Sequence, residues 1–351
     1  MRLIRPLLYL LLILVGAFLL FLSYASLDNF QPEDVIAQKL ENQPDILQDS
    51  STLDLLIWNI GYAGLDASMD FFYDGGKQMR PDKEGVHRNM EGITKTLQAY
   101  LNYDFVLLQE VDLNSKRSYH LDQYALIQDQ FKEHYSYFGK NYDVFFVPIP
   151  LKEPMGKVES GLMTLSRPYP VSVERHAFPG NYSWPMALFM LDRCFLVSRY
   201  ILASQKELVM INTHNSAYDD GTLRAAQMDY LSDYLSSEYE KGNYVIVGGD
   251  WNQTPYGIDA KLPDHLFDTE NLTYVDKDYP APDWIWAYDP ELPTNRRVKT
   301  PYDQGTTLTT IIDCFLLSPN LQVMEVSTLD LGFKYSDHQA VQLKVKLSHH
   351  P

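Results

Sequence analysis

Beyond an N-terminal stretch that is apolar throughout, the chain alternates short apolar runs with segments whose apolar residues return every three or four positions. Leu53–Asn59, Phe105–Gln109, Leu162–Ser166, Phe195–Leu202, Leu208–Thr213, Tyr244–Gly248, Thr310–Leu317 and Gln339–Val345 read as strands. Helical spacing runs over Val86–Leu101, with Met90, Ile93, Leu97 and Leu101 on one face, and over Thr222–Tyr239, with Leu223, Ala226, Tyr230 and Tyr234. Strands outnumber helices, and several follow one another with no helix between. This order predicts two packed sheets flanked by helices rather than a doubly wound parallel sheet.

The N-terminal stretch is a separate object. Arg2 and Arg5 precede an uncharged run from Pro6 to Leu27. About 20 apolar residues cross a bilayer as a helix, and arginines on the short side favour a cytoplasmic N-terminus. The chain then reads as a single-pass membrane protein with its bulk outside the cytoplasm. The rival reading is a signal peptide cut after Ser23-Tyr24-Ala25, giving a secreted protein, although such peptides have a shorter apolar region of about 7–15 residues. Residues 28–52 turn polar and acidic, with Pro32 and Pro44, and predict a linker carrying a short helix over Glu33–Glu41. A single domain over 53–347 follows, with no second linker and no internal repeat.

With 45% hydrophobic and 21% charged residues, this domain has ample material for a core. The net charge of −17 argues against a broad nucleic-acid surface, which needs clustered Lys and Arg. Nucleic acid is therefore a disfavoured partner, and nothing calls for an obligate protein partner. Cys194 and Cys314 both lie in strand-like apolar runs and read as buried free thiols, not as a disulfide framework or thiolate metal site.

The candidate chemistry sits where the strands stop. Trp58-Asn59, Gln109-Glu110, Thr213-His214-Asn215, Asp250-Trp251-Asn252, Asp313 and Ser336-Asp337-His338 each end or adjoin an apolar run. Taken singly, each reads as a cap, a turn or a satisfied polar group. Carboxylates are costly to bury unless paired or bound to a cation, so several converging on one place point to a metal site and an enzyme. In this order, over about Leu53 to Leu347, the segments resemble the endonuclease/exonuclease/phosphatase superfamily. That group includes pancreatic-type deoxyribonuclease, apurinic/apyrimidinic endonucleases, inositol polyphosphate 5-phosphatases and neutral or bacterial sphingomyelinases.

The resemblance implies an α/β (α+β) fold, a four-layered sandwich of two mixed sheets with the site at one end. It implies attack of water on a phosphoester assisted by Mg²⁺, with Mn²⁺ as a substitute; such cations prefer hard oxygen ligands. Glu110 matches the main metal ligand, Asn59 would contact the metal or its water through the amide oxygen, and Asp337 would add a further contact. Asp250 matches the residue that orients and deprotonates the water. Asn252, expected on the same face of an extended segment, would donate to a phosphate oxygen. His338 matches the histidine at the phosphate, Asp313 its partner carboxylate, and His214 a second imidazole near the leaving oxygen. Whether Asp250 or a histidine is the base stays open. After His338, Gln339 and Ala340 depart from a pattern in which Pro often stands second.

Two segments are candidates for substrate selection. Lys77 and Arg80 lie in an aromatic loop at 69–80, positioned to meet an anionic substrate, unless the loop packs its own rings. Trp284 and Trp286, followed by Asn295-Arg296-Arg297, would cradle a sugar, base or lipid headgroup, dip into a membrane, or simply pack. Tyr182, Trp184 and Arg193 are further border residues. Arg224 and Gln227 read as loop supports, and Asn89 and Glu91 as solvated. The expected function is a membrane-tethered, metal-dependent hydrolase of a phosphodiester, either a phospholipid-type headgroup or extracellular nucleic acid. The alternatives are a phosphomonoesterase of a soluble sugar or inositol phosphate, and a catalytically inactive surface-binding module.

Overall fold

The computed structural model of the chain describes residues 4–217, 219 and 221–348; Arg2 lies outside them. Helix α1 spans Ile4–Leu27. Two short strands follow, β1 (Val35–Ala37) and β2 (Ile46–Leu47), then β3 (Thr52–Asn59), α2 (Lys83–Leu97), β4 (Phe105–Asp112), α3 (Gln123–Gln130), β5 (Tyr135–Val147) and β6 (Gly156–Ser166). The second half holds β7 (Ser172–Ala177), β8 (Cys194–Leu202), β9 (Glu207–His214), α4 (Thr222–Glu240), β10 (Tyr244–Asp250), β11 (Ile285–Ala287), β12 (Asn295–Arg296), β13 (Thr309–Thr310), β14 (Asp313–Leu317), β15 (Leu321–Thr328) and β16 (Val341–Leu347).

The strands form two mixed sheets, ordered β15-β16-β3-β4-β6-β5 and β1-β7-β8-β9-β10-β14-β11, with β2 beside β8. The period of two along each strand explains why their sequences look apolar throughout. In β3, Leu55 and Ile57 face between the sheets, against Met210, Ile246 and Phe315. Leu56 and Trp58 point outward to α2, meeting Val86, Met90 and Ile93. On the opposite flank Val209, Val245 and Leu316 pack on Leu231 and Leu235 of α4. Four layers result, as the residues predicted.

Residues 28–52 are not a free stalk. The helix expected over 33–41 does not form. Instead Val35–Ala37 pairs antiparallel with β7 and Ile46–Leu47 pairs parallel with β8, so both segments extend or cover that sheet. Asp45 and its neighbours are tied in as well: Asp45 Oδ2 accepts from the Tyr169 amide at 2.7 Å. The sequence reading also passed over β5, β7, β15 and α3. The first and third carry many polar or half-buried positions, and α3 has no dominant apolar face.

Pairing register gathers the polar strand ends. Asp250 stands opposite His214 on β9 and Asp313 on β14. Asn59 stands opposite Gln109 on β4. Gly249 permits the closest approach: its φ of 149° and a Cβ position 2.1 Å from the Thr213 carbonyl leave no room for a side chain.

Candidate active site

At this end of the sandwich a cavity of about 260 Å³ is lined by Glu110, His214, Asp250, Asn252, Asp337 and His338, among others. Asp250 Oδ2 is its hub. It accepts from Asn59 Nδ2 at 2.9 Å and lies 3.4 Å from His214 Nε2 and 3.7 Å from His338 Nε2. The other oxygen, Oδ1, accepts from the Asn252 amide at 2.9 Å. His338 is fixed from two sides: Nδ1 bonds Asp313 Oδ2 at 2.8 Å, and its carbonyl accepts from Trp58 Nε1 at 3.0 Å; the Asn295 amide nitrogen lies 3.0 Å from Nε2. Asp313 is fully enclosed behind it.

The two imidazoles are driven apart. Burial pulls His338 down, but the charges of Asp313, Asp250 and Asp337 outweigh it and hold the ring well above the usual histidine range. Burial lowers His214 too, and Arg193, His338 and Arg117 push it further, so it stays neutral. One histidine is thus a cation and the other a neutral ring, facing the same carboxylate.

A second corner holds Glu110, Asn59 and Asp337. Glu110 sits where the register of β4 against β6 slips between Leu108 and Val111. Its φ of 55° is left-handed, a bulge that turns a strand-end carboxylate toward the cavity. Such a backbone costs roughly 1–3 kcal/mol and persists where the surroundings impose it. Asp337 is buried, and its pKa is pushed up to about 7: burial raises it, His338 opposes, and Glu110 raises it again. Hard carboxylate oxygens crowded in this way, both lining the cavity, fit an oxygen-seeking divalent cation. The compact trio Asp250, Asp313 and His338, whose ligand atoms lie within 4.8 Å of one another, also has metal-like spacing. There the His338–Asp313 hydrogen bond takes up Nδ1 and Oδ2, while Asp313 Oδ1 is left without a partner.

Several expectations need correction. The Asn59 amide oxygen accepts from Gly61 N at 3.0 Å, and its NH₂ reaches Asp250 and, at 3.4 Å, Glu110. The amide therefore faces the site with its donor, not its oxygen. Asn252 is not in an extended segment: its φ is 52°, and its NH₂ donates to the Asn215 carbonyl at 2.8 Å. Lys77 is exposed and outside the cavity lining. Arg80 lies 3.9 Å over the Tyr119 ring, pairs with Glu153 at 3.3 Å and donates to the Lys116 carbonyl, so it braces a loop outside the cavity. Phe71, Phe72 and Tyr73 of the 69–80 loop pack on one another, and Phe71, Tyr73 and Asp74 line the cavity. Trp284 and Trp286 also miss the cavity. On an extended stretch entering β11 they share the outer face, where Trp286 lies 4.7 Å from Trp251 and Trp284 packs on Tyr239. Asn89 is buried and donates to Asp66 at 2.7 Å and to the Ala63 carbonyl.

Other residues were missed or underweighted. Arg117, buried, stacks 3.9 Å over Tyr62, pairs with Asp112 at 2.9 Å and lies 3.8 Å from Glu110. No local pattern marks it, because it belongs to a short 3₁₀ turn after β4. Asn295, Arg296 and Arg297 do reach the cavity, without the tryptophans that precede them. Arg193 reaches it too, and among the described residues its guanidinium donates to the His214 carbonyl at 3.4 Å. Arg224 pairs with Asp219 at 2.6 Å and Gln227 bonds Ser216, as loop supports should. Both cysteines are free and buried.

A sequence profile of the Endonuclease/Exonuclease/phosphatase family matches residues 56–338. The chain belongs to that family. Among solved structures, it resembles the endonuclease/exonuclease/phosphatase from Beutenbergia cavernae DSM 12333 at 18% identity and TM-score 0.59, covering 86% of this chain and 72% of that one. It also resembles ANGEL2, a 2′,3′-cyclic phosphatase, in complex with adenosine-2′,3′-vanadate, at 14% identity and TM-score 0.54 (89% and 100% covered). D. rerio TDP2 complexed with single strand DNA product is similar at 14% identity and TM-score 0.52 (84% and 99% covered). At these identities the likeness carries the fold alone. No curated protein matches in sequence.

Proposed function

We propose that the chain is a divalent-metal-dependent phosphoesterase that hydrolyses a phosphodiester, tethered to a membrane by α1 with its domain outside the cytoplasm. The observation that carries this reading is the hub at Asp250, where one carboxylate oxygen meets an amide donor, a cationic imidazole and a neutral one on the wall of a cavity. Glu110 and Asp337 would hold a cation of the Mg²⁺ type, with Asn59 positioning Glu110 and Asp250. Such an ion supplies neutralisation of the phosphoryl charge.

The residues of the chain do the rest. Asp250 accepts a proton from the attacking water and aims it. His338, kept protonated by Asp313, donates to a phosphoryl oxygen. His214, neutral, keeps Asp250 from rotating and faces the departing oxygen. Enclosure of the cavity strengthens each of these interactions.

Most of the arginines around the cavity are committed to other partners. Of the described arginines lining the cavity, Arg117, Arg224 and Arg297 are each paired with an aspartate. The Arg296 guanidinium is spent on the Asp66, Arg297 and Thr300 carbonyls. Arg193, with no carboxylate partner among the described residues, is left to meet a phosphoryl oxygen beside His338. The test is a panel of diesters and monoesters with the purified full chain, under Mg²⁺, Mn²⁺ and chelator. Diester hydrolysis abolished by chelation is the expected result, and preference for monoesters or indifference to chelation overturns the reading.

A further inference from the structure

Two segments touch the cavity, the N-terminal helix and open apolar surface at once. In the stretch 178–193, Tyr182, Leu191 and Arg193 line the cavity. Leu188 and Phe189 of the same stretch pack on α1. Between them Trp184 and Met186 are left 64% and 54% exposed. The loop leaving β5 repeats the arrangement. Phe145 packs on α1, Ile149 and Leu151 are 39% and 88% exposed, and Met155 lines the cavity.

The contact with α1 is specific to its last two turns. The Phe21 ring stacks 5.8 Å from Phe189 and lies 5.6 Å from Phe145. Leu22 and Ala25 are buried there, and Trp184 Nε1 donates to Ser26 Oγ at 3.2 Å. The apolar span Arg5–Leu27 is 23 residues, about 35 Å as a helix, against a hydrocarbon core of about 30 Å. Phe21 lies about 9 Å below the helix end. Ser26, which receives Trp184, lies about 1.5 Å below that end, so Trp184 is held at the bilayer's boundary, with no length of free chain between membrane and domain.

We infer that Ile149, Leu151, Trp184 and Met186 dip into the headgroup region of the leaflet from which α1 emerges, and that the cavity draws its phosphodiester from a lipid of that leaflet. The inference rests on reading α1 as a membrane span and the cavity as a phosphoesterase site. Trp and Met with long aliphatic neighbours suit that boundary. A chain of net charge −17 gains nothing from an anionic surface, so apolar insertion into a zwitterionic leaflet is the docking mode. In the reaction the oxygen of water bonds to phosphorus and one P–O ester bond breaks. The water's proton ends on the leaving alkoxide, and lipid-side and headgroup-side products separate.

The test uses the full chain reconstituted in phosphatidylcholine vesicles carrying a spin label either near the headgroup or deep in the acyl chain. Trp184 emission is expected to be quenched more by the shallow label, and W184F to remove that quenched component. Independently, the double variant L151E/M186E should cleave vesicle lipid about tenfold or more slowly, with its rate on a soluble chromogenic diester unchanged. The inference is overturned if neither label quenches Trp184, if the variant retains wild-type rate on vesicles, or if both rates fall together. A wild type that cleaves the soluble diester but not vesicle lipid overturns it while leaving the phosphoesterase reading intact. A wild type that cleaves neither sinks that reading, and the quenching result still decides the docking.

Discussion

Arg193 just precedes β8 and Arg199 lies six residues on, in its middle, yet their surroundings are opposite. Arg199 is saturated: it bonds Glu238 through both terminal nitrogens at 2.9 and 2.7 Å, Glu207 at 2.7 Å and the Tyr234 hydroxyl at 2.8 Å. Those bonds, led by Glu238, raise its proton affinity. Arg193 is half-buried and has one long side-chain bond among the described residues, to a carbonyl, and burial lowers its proton affinity. A buried cation held without a carboxylate costs free energy that local packing does not return. The contrast separates charge that holds the fold from charge kept for something the fold does not contain, and the same division separates the His338–Asp313 pair from the crowded Glu110–Asp337 corner.

The comparison breaks most readily at the hub. Asp250→Ala should reduce turnover by about 10³-fold or more while far-UV circular dichroism stays native. Near-normal diester turnover in a folded D250A protein would remove Asp250 from the chemistry. Next in size is a purely structural change beside it. Gly249→Ala puts a Cβ against the Thr213 carbonyl and should cost about 2–4 kcal/mol in denaturant unfolding. An unchanged midpoint would show that β9 and β10 are not held as closely as described.

Arg193→Ala sharpens the division between the two arginines. It should raise KM for a diester roughly 10–100-fold, lower kcat less, and leave stability unchanged or improved. A stability loss with unaltered KM would make Arg193 a second Arg199. The mirror experiment is Glu238→Gln, with wild-type turnover and a loss of about 1–2 kcal/mol at neutral pH. Burial pushes Glu238 up, but bonds from Arg199, Lys241 and Asn243 outweigh it and hold the carboxyl at about 2, below its ordinary 4.5. A depressed folded pKa stabilises above the unfolded value. The wild-type advantage should therefore be full above pH of about 4.5 and fade as pH falls toward about 2. Parallel stability curves for wild type and variant would contradict it.

The site was legible because each contributing residue ends an apolar run: Asn59, His214, Asp250 and Asp313 close or open buried strands, and register alone brings them together. The four layers were legible for the same reason, since strands buried on both faces leave unbroken apolar stretches. Conformation within the site was not legible. The left-handed backbone at Glu110 comes with the register slip of β4 against β6, and that at Asn252 with its bonds to Asp250 and the Asn215 carbonyl, all partners distant in sequence or set by folding. Nor could spacing show which way the Asn59 amide turns, because its oxygen is claimed by Gly61 N and its nitrogen by two carboxylates from other strands. Trp284 and Trp286 misled because an aromatic pair near arginines looks the same whether β11 turns it toward a cavity or toward α4. The segment 28–52 misled because its polar composition hid two edge pairings of three and two residues.

The central claim is that the Glu110–Asp337 corner holds the divalent cation on which Asp250 chemistry depends. Its most direct test is Mn²⁺ binding to the full chain by electron paramagnetic resonance, read beside diester hydrolysis in the same samples. The account predicts that occupancy and rate rise together, that chelator removes both, and that Glu110→Ala weakens Mn²⁺ binding roughly tenfold or more with a matching loss of rate. Undiminished hydrolysis in metal-free protein, or full Mn²⁺ affinity in E110A, would contradict it.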